Sequence, residues 1–230
     1  MMRRPKAWLA WSTGKDSAWA LHTLRTRAEF EVVALLTTVN QTHSRVAMHA
    51  VRESLLEAQA RAAGLPLVTG PIPSPCPNEV YENAMSVAME RARAEGVAHV
   101  AFGDLFLEDI RRYREERLAA CGMTPVFPIW RRDTHALAEE MLAAGLRAIV
   151  TCVDPRRLAP EFAGRIWDEA FLRELPPEID PCGENGEFHT FAFTGPMFRV
   201  PISVRPGEIV TRDGFVFADV FLGETAAPGV

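Results

Sequence analysis

Paired cysteines are missing from this sequence. Its four, Cys76, Cys121, Cys152 and Cys182, stand far apart and form no CxxC pair. That spacing offers neither a zinc site nor a disulfide framework and suits a reducing compartment, each thiol acting as a small apolar side chain. No run of 18 or more apolar residues occurs, which argues against a membrane-spanning helix. The first residues lack the long apolar region and small-residue cleavage site of a secretory signal, so a cytoplasmic location is expected. An excess of positive charge is missing too: 25 Lys and Arg stand against 30 Asp and Glu, a net charge of −5. Without a local basic patch, nucleic acid is not an expected partner, and Arg3, Arg4 and Lys6 read as a solvated tail. Internal repeats and low-complexity tracts are absent.

What is present is a chain of 230 residues, 48% hydrophobic, long enough for one large domain or for a domain with a smaller companion. Apolar strand-like runs at 7–11, 32–39, 67–69, 97–102, 126–130 and 147–153 alternate with helix-length segments at 18–27, 48–63, 79–95, 107–120 and 137–144. Gly64 and Gly145 are placed to stop helices, and Asp133 or Thr134 to start one. This alternation predicts an α/β fold with an open, mostly parallel sheet flanked by helices. Beyond residue 155 the chain turns Pro-, Gly- and acid-rich and then β-like, with a hairpin signal at Arg212-Asp213-Gly214. The expected division is a nucleotide-binding domain over 1–155 and a substrate-binding subdomain with a β-rich tail over 156–230. The five tryptophans, Trp8, Trp11, Trp19, Trp130 and Trp167, read as core or interface residues.

Ser12-Thr13-Gly14-Lys15-Asp16-Ser17 sits between the first strand and the first helix. A helix N-terminus there offers unpaired N–H groups and a positive dipole end to phosphate oxygens. Gly14 lets the backbone approach closely, Ser12 and Ser17 add hydroxyls, and Lys15 adds charge. Asp16 would repel phosphate, so it either caps the turn or reaches a magnesium ion that travels with ATP. Read alone, the same turn also suits plain helix capping. Spacing excludes a Walker A loop, and the single glycine excludes a dinucleotide fingerprint.

A second cluster, Asp180-Pro181-Cys182-Gly183-Glu184-Asn185-Gly186-Glu187-Phe188-His189-Thr190, packs carboxylates, an amide and an imidazole beside flexible backbone. Such density suits a loop folding over a substrate, although a turn feeding a strand is the plainer alternative. Glu187 and His189, two apart, lack helical metal-site spacing. Asp104 follows a strand where the crevice of an open α/β sheet lies. The helix 107–120 carries Arg111, Arg112, Arg114 and Arg117 among acids, and Glu108 four residues before Arg112 predicts a helix-face pair.

The turn resembles the S-G-G-x-D-S PP-loop of ATP pyrophosphatases, with Thr13 in place of the usual glycine. Joined to the second cluster, it resembles the diphthine–ammonia ligase family, whose C-terminal signature reads G-E-x-G-E-F-H-T. Gly183, Glu184, Gly186, Glu187, Phe188, His189 and Thr190 match that signature in order, and Gly195-Pro196-Met197-Phe198 matches the G-P-x-F that follows. The resemblance extends through Phe102-Gly103-Asp104 and the arginine-rich helix. It implies an adenine nucleotide alpha-hydrolase-like fold and an ATP- and Mg2+-dependent ligase that adenylates a carboxylate, releases pyrophosphate and forms an amide with ammonia.

Carried onto these positions, the resemblance implies that residues 12–17 hold ATP, with Lys15, Asp16, Glu187 and His189 catalytic and Asp16 reaching magnesium. Asp104, Arg112, Arg114, Gly183, Glu184, Asn185, Gly186, Glu187 and Thr190 become candidate substrate contacts. Glu184, Glu187 and Asp104 are the candidate carboxylates for orienting the amine or taking its proton, and Glu187 is the one expected to do so. The acceptor is a carboxylate on a small molecule or a modified protein side chain. A homodimer is an admissible assembly. Competing readings are a PP-loop tRNA-thiolation enzyme, which needs a reactive cysteine, amidation of another carboxylate such as a corrinoid-type side chain, and a non-catalytic nucleotide sensor.

Overall fold

A computed structural model of the protein describes residues 3–40, 45–46, 51–73 and 75–224. The chain begins with β1 (Lys6–Ala10), α1 (Lys15–Arg27), β2 (Glu31–Asn40), β3 (Arg45–Val46), α2 (Glu53–Ala63), β4 (Leu67–Ile72), α3 (Asn78–Ala94), β5 (His99–Ala101), α4 (Glu108–Ala120) and β6 (Thr124–Val126). Strands β4, β2, β1, β5 and β6 pair in that order, all parallel, and β3 runs antiparallel to the end of β2. This is the open, mostly parallel sheet that the alternating sequence predicts.

Alternation along the strands explains the layers, because successive side chains leave opposite faces. Leu9 and Leu35 enter one apolar cluster with Trp19, Leu21 and Leu24 of α1 and Leu55 and Leu56 of α2. Their neighbours Trp8, Ala34 and Leu36 enter a second cluster with Ala88, Met89 and Ala92 of α3 and Leu118 of α4. Each fully buried leucine, such as Leu9, Leu21 or Leu35, contributes roughly 2 kcal/mol by leaving water. Gly64 closes α2 with a left-handed C-cap, as its position predicts.

The rest of the chain forms α5 (Thr134–Ala143), β7 (Arg147–Val153), β8 (Ile166–Trp167), α6 (Glu169–Glu174), β9 (Phe188–Thr194), β10 (Val204–Arg212) and β11 (Phe215–Leu222). The Asp133 carboxylate caps α5 by accepting the Ala136 amide at 2.8 Å. Strand β7 is the centre of a second, antiparallel sheet, pairing with β9, β8 and β11. It looks like one more parallel strand because it follows a helix, but its partners all come later in the chain. The run at 126–130 is strand only to Val126; Pro128 cannot extend a ladder, and residues 127–130 form a turn. The helix expected over 48–63 starts at Glu53, and residues 48–50 lie outside the described residues. The tail hairpin forms as expected: Asp213 and Gly214 have φ of 52° and 80°, the left-handed pair of a two-residue turn. No helix among the described residues is long and apolar enough to cross a membrane.

The two sheets meet at the turn after β1. The Ala192 amide of β9 donates to the Thr13 carbonyl at 3.0 Å, and the Lys15 amide donates to Thr190 Oγ1 at 3.2 Å. Behind them, Trp19 and Leu21 share one apolar cluster with Ile149 and Phe191.

Candidate functional site

A cavity of about 780 Å³ opens at the carboxyl ends of the parallel strands. Strand β1 lies between β2 and β5, where the chain stops adding strands on one side and starts on the other. In open α/β sheets this switch point leaves a crevice for ligands. Ser12, Lys15, Asp16 and Ser17 form one wall, Gly103, Asp104 and Arg114 a second, and Gly183, Glu184, His189 and Thr190 a third.

The turn is held from behind. Thr13 adopts φ of 72°, a left-handed conformation that costs a β-branched residue about 1–2 kcal/mol, and its buried Oγ1 has no hydrogen-bond partner. Its carbonyl points inward, accepting from Ala192 N and from Gln59 Nε2 at 2.9 Å. Gly14 is the helix N-cap residue, and its amide donates to Ser12 Oγ at 3.3 Å. Ser17 Oγ donates to the Gly14 carbonyl at 3.0 Å. The first-turn amides of α1 have no partners inside the helix. Gly103 packs on this turn so closely that a Cβ would stand 2.9 Å from Asp16 C and Ser17 N; a side chain there would push the turn out of place.

Lys15 is 1% exposed. Its ammonium donates to both Asp16 oxygens, at 3.1 and 2.9 Å, and to the Cys182 carbonyl, and lies over the rings of Phe188 and Trp167. Burial lowers its pKa, but the neighbouring acids, Asp16 first and then Cys182 and Asp180, together hold it above the ordinary lysine value. Asp16 is raised, because burial outweighs the pull of Lys15.

The loop after Asp180 is built on its own amides. Asp180 Oδ1 accepts from Cys182 N at 2.9 Å and from Glu184 N at 3.3 Å. Glu184 projects into the cavity and accepts from Leu105 N at 2.8 Å. Burial, reinforced by the charge of Asp16 and opposed by the Leu105 amide, raises its carboxyl to about 7. His189 lines the cavity with its pKa lowered to about 4 by burial and then by Lys15, so its imidazole is neutral at pH 7.

Glu187, the expected amine-orienting group, is absent from the cavity wall. It is buried under the loop, where Oε1 accepts from Asn185 Nδ2 at 3.0 Å and Oε2 has no partner. It stands one residue before β9, where the loop folds its carboxylate back onto Asn185 and toward the Asp180 amide at 3.5 Å, whereas Glu184 reaches the cavity. Asn185 is exposed, and it and Gly186 also lie outside the wall.

Asp104 and Arg114 come together in a two-pronged pair, Nε to Oδ2 at 2.6 Å and Nη2 to Oδ1 at 3.1 Å, over the Phe102 ring. Arg112, two residues along the same helix, points to solvent and reaches Asp109 at 3.9 Å. Glu108 pairs with Arg131 instead of Arg112. Two residues of the site were not singled out from the sequence: Tyr81, in the cavity wall, and Gln59, behind the turn. Helical spacing from Leu55 and Leu56 puts Gln59 on the buried face of α2, but nothing in the sequence names its partners.

Comparison with known proteins finds two matching family models. The diphthamide synthase N-terminal domain matches residues 5–124, and the diphthamide synthase C-terminal domain matches residues 133–219. Diphthine–ammonia ligase of Bos taurus is 28% identical over 187 residues, covering 77% of this chain and 68% of that protein. The Danio rerio protein of the same name is 31% identical over 177 residues, covering 70% of this chain and 69% of its own. The Homo sapiens one is 29% identical over 148 residues, covering 62% and 54% respectively. On these matches, which include more than half of the chain in the first domain alone, the chain belongs to the diphthine–ammonia ligase family.

Proposed function

We propose that this chain is an ATP-dependent, AMP-forming amide ligase whose acceptor is diphthine and whose nitrogen donor is ammonia. The observation that carries the reading is the meeting, in one cavity, of a helix N-terminus suited to phosphate and a carboxylate whose pKa is about 7. The acceptor carboxylate attacks the α-phosphorus of ATP and pyrophosphate leaves. Ammonia then attacks the acyl carbon, AMP leaves with the C–O bonding pair, and a proton passes from nitrogen to a base. Residues 12–17 hold the pyrophosphate end, where oriented amides stabilise the leaving charge. Glu184, its carboxyl raised by burial to about 7, is the base. His189, neutral, lines the acceptor side.

Magnesium fits the donor set in a limited way. No cluster of three or more His, Cys, Asp or Glu that could cage a metal occurs among the described residues. Magnesium bound to ATP needs only one or two carboxylates, its other ligands being phosphate and water. Asp16, beside the turn, is the carboxylate that would hold it, and the ion would supply neutralisation of phosphate charge. In this reading residues 1–155 serve the nucleotide and residues 156–230 serve the acceptor.

A sulfur-transfer reading needs a thiolate. Burial holds the Cys182 thiol well above the ordinary range and pushes Cys152 up to about 12, so both are protonated at pH 7. The test is product analysis with ATP, ammonia and a diphthine-bearing substrate. AMP and pyrophosphate formed with one amide per ATP are expected. ADP as the main product would sink the ligase reading, and turnover with a different carboxylate alone, such as a corrinoid-type side chain, would replace diphthine as the acceptor.

A further inference from the structure

Gln59 is a polar side chain with no solvent exposure, on a helix whose neighbouring Leu55, Leu56 and Ala60 are core. Such an amide is costly to bury unless its polar atoms are partnered, and here the partners are specific. Oε1 accepts from Trp11 Nε1 at 2.8 Å. Nε2 donates to the Thr13 carbonyl at 2.9 Å and to the Ala192 carbonyl at 2.6 Å. Those three groups belong to the end of β1, the phosphate turn and β9, so one side chain ties both sheets to the turn.

The consequence follows from peptide geometry. In a planar trans peptide the C=O and the next N–H point in opposite directions. Drawing the Thr13 oxygen inward therefore directs the Gly14 N–H the other way, where it meets Ser12 Oγ in the cavity wall. The amides of residues 15–17 follow in register from that peptide. Thr13 does not favour this conformation, since its φ of 72° lies in the left-handed region. Something must hold it there, and the two donors on its carbonyl, Gln59 Nε2 and Ala192 N, are the groups placed to do so.

We infer that Gln59 is a positioning residue: its amide locks the Thr13 peptide and so presets the course of the phosphate turn into the N-terminus of α1. The inference rests on reading residues 12–17 as the phosphate site. It requires that a residue content with left-handed φ should need the lock less. Calorimetric binding of inorganic pyrophosphate and of ATP to the full chain provides the readout, with folding followed by circular dichroism. Gln59→Met, similar in shape but unable to form the three bonds, is expected to weaken both ligands by about tenfold or more. Adding Thr13→Gly to it is expected to recover affinity to within about threefold of wild type, because glycine adopts the conformation unaided.

Loss of packing alone would not be repaired by shortening a residue of the turn. If Gln59→Met does not fold, Gln59→Asn keeps a buried amide but withdraws it by one methylene, and the same rescue is read on it. A folded Gln59 variant that binds pyrophosphate within about twofold of wild type overturns the inference, as does a loss that Thr13→Gly leaves untouched. Failure of both variants to fold, with or without Thr13→Gly, assigns Gln59 to the core and overturns it as well. If the wild-type chain itself binds neither ligand, the phosphate reading of the turn is what fails.

Discussion

Residues 12–17 bring a helix N-terminus, Lys15 and Asp16 to the cavity, whereas residues 180–190 bring Glu184 and His189, and the two segments are secured through different groups. The turn has bonds of its own between Ser12, Gly14 and Ser17. It is held from outside by Gln59 and Ala192 on the Thr13 carbonyl, Thr190 on the Lys15 amide and the close backbone of Gly103. The loop is held from within by Asp180 on the amides of Cys182 and Glu184 and by Glu187 on Asn185. From outside it is held by the Leu105 amide on Glu184, the Trp167 indole on the Pro181 carbonyl and the Asp154 amide on the Glu187 carbonyl. A donor surface for phosphate must be preset, because its amides cannot be re-aimed without unwinding the helix. An acid-rich loop can assemble on its own amides, and Lys15 crosses the gap to it: the ammonium pairs with Asp16 in the turn and donates to the Cys182 carbonyl in the loop. The difference teaches that the turn is set by outside groups that bond its backbone, and the loop largely by its own carboxylates.

Breaking the crossing should have the largest effect. Lys15→Met leaves the Asp16 carboxylate and the Cys182 carbonyl without their partner beside Glu184. Removing one side of a buried ion pair costs about 3 kcal/mol. ATP turnover should fall by about a hundredfold or more, the scale for losing a positioned charge donor. Thermal unfolding and AMP release measure the two losses. A variant as stable and as active as wild type would mean that the two segments are independent.

The acceptor pole can be tested by itself through two glutamates. Glu184→Gln should lower amide formation by roughly a hundredfold, the usual scale for a general base, and leave ATP affinity within about threefold. Glu187→Gln should do less, since Glu187 lies outside the cavity wall and glutamine keeps an oxygen to accept from Asn185. The pH profile sharpens this. At fixed free ammonia, the wild-type rate should rise through pH 7 and level off, and Glu184→Gln should flatten it. Stability has a sign that can be checked: the Glu184 pKa is raised from 4.5 to about 7, so the fold favours the neutral acid. That contribution is present below pH 4.5 and is lost as pH rises through 7, so Glu184→Gln should gain on wild type in Tm across that interval and hold the gain above it. A larger loss from Glu187→Gln than from Glu184→Gln would return the base to Glu187.

Local signals carried much of this into the sequence. The turn at residues 12–17, the two-sided burial of β1 and β2, the Asp133 cap and the Asp213-Gly214 hairpin depend on neighbours within a few residues, and each was legible. Strand β7 was legible as a strand but not as the centre of a second sheet, because its register with β9 pairs Val150 with Thr190, forty residues away. The same limit explains the side chains. Arg112 and Arg114 are equivalent in composition, yet helix rotation sends one to solvent and the other to Asp104. Glu184 and Glu187 belong to one signature, and only the path of the loop decides which faces the cavity. The role of Gln59 was invisible because its partners are separated from it by 46 to 133 residues.

The smallest effect should come from Cys182, which sits between the two segments without serving either by its sulfur. Its carbonyl receives the Lys15 ammonium, and a side-chain substitution leaves that contact in place. The thiol is buried and donates weakly to the Thr134 carbonyl at 3.6 Å. Burial holds its pKa well above the ordinary thiol value, and Lys15 only partly opposes that. A thiol kept protonated is a poor nucleophile. Serine retains an O–H donor in a slightly smaller volume, so Cys182→Ser should cost about 1 kcal/mol of stability, the common scale for a modest core change. Acceptor-dependent AMP release should stay within about threefold of wild type. Iodoacetamide at pH 7 should label Cys182 slowly in the folded chain and quickly after denaturation, which mass spectrometry of the peptide containing residue 182 resolves. Abolished turnover in a Cys182→Ser protein that melts like wild type would show that sulfur takes part in the chemistry, and the donor-and-acceptor division of the cavity would have to be redrawn around a thiolate.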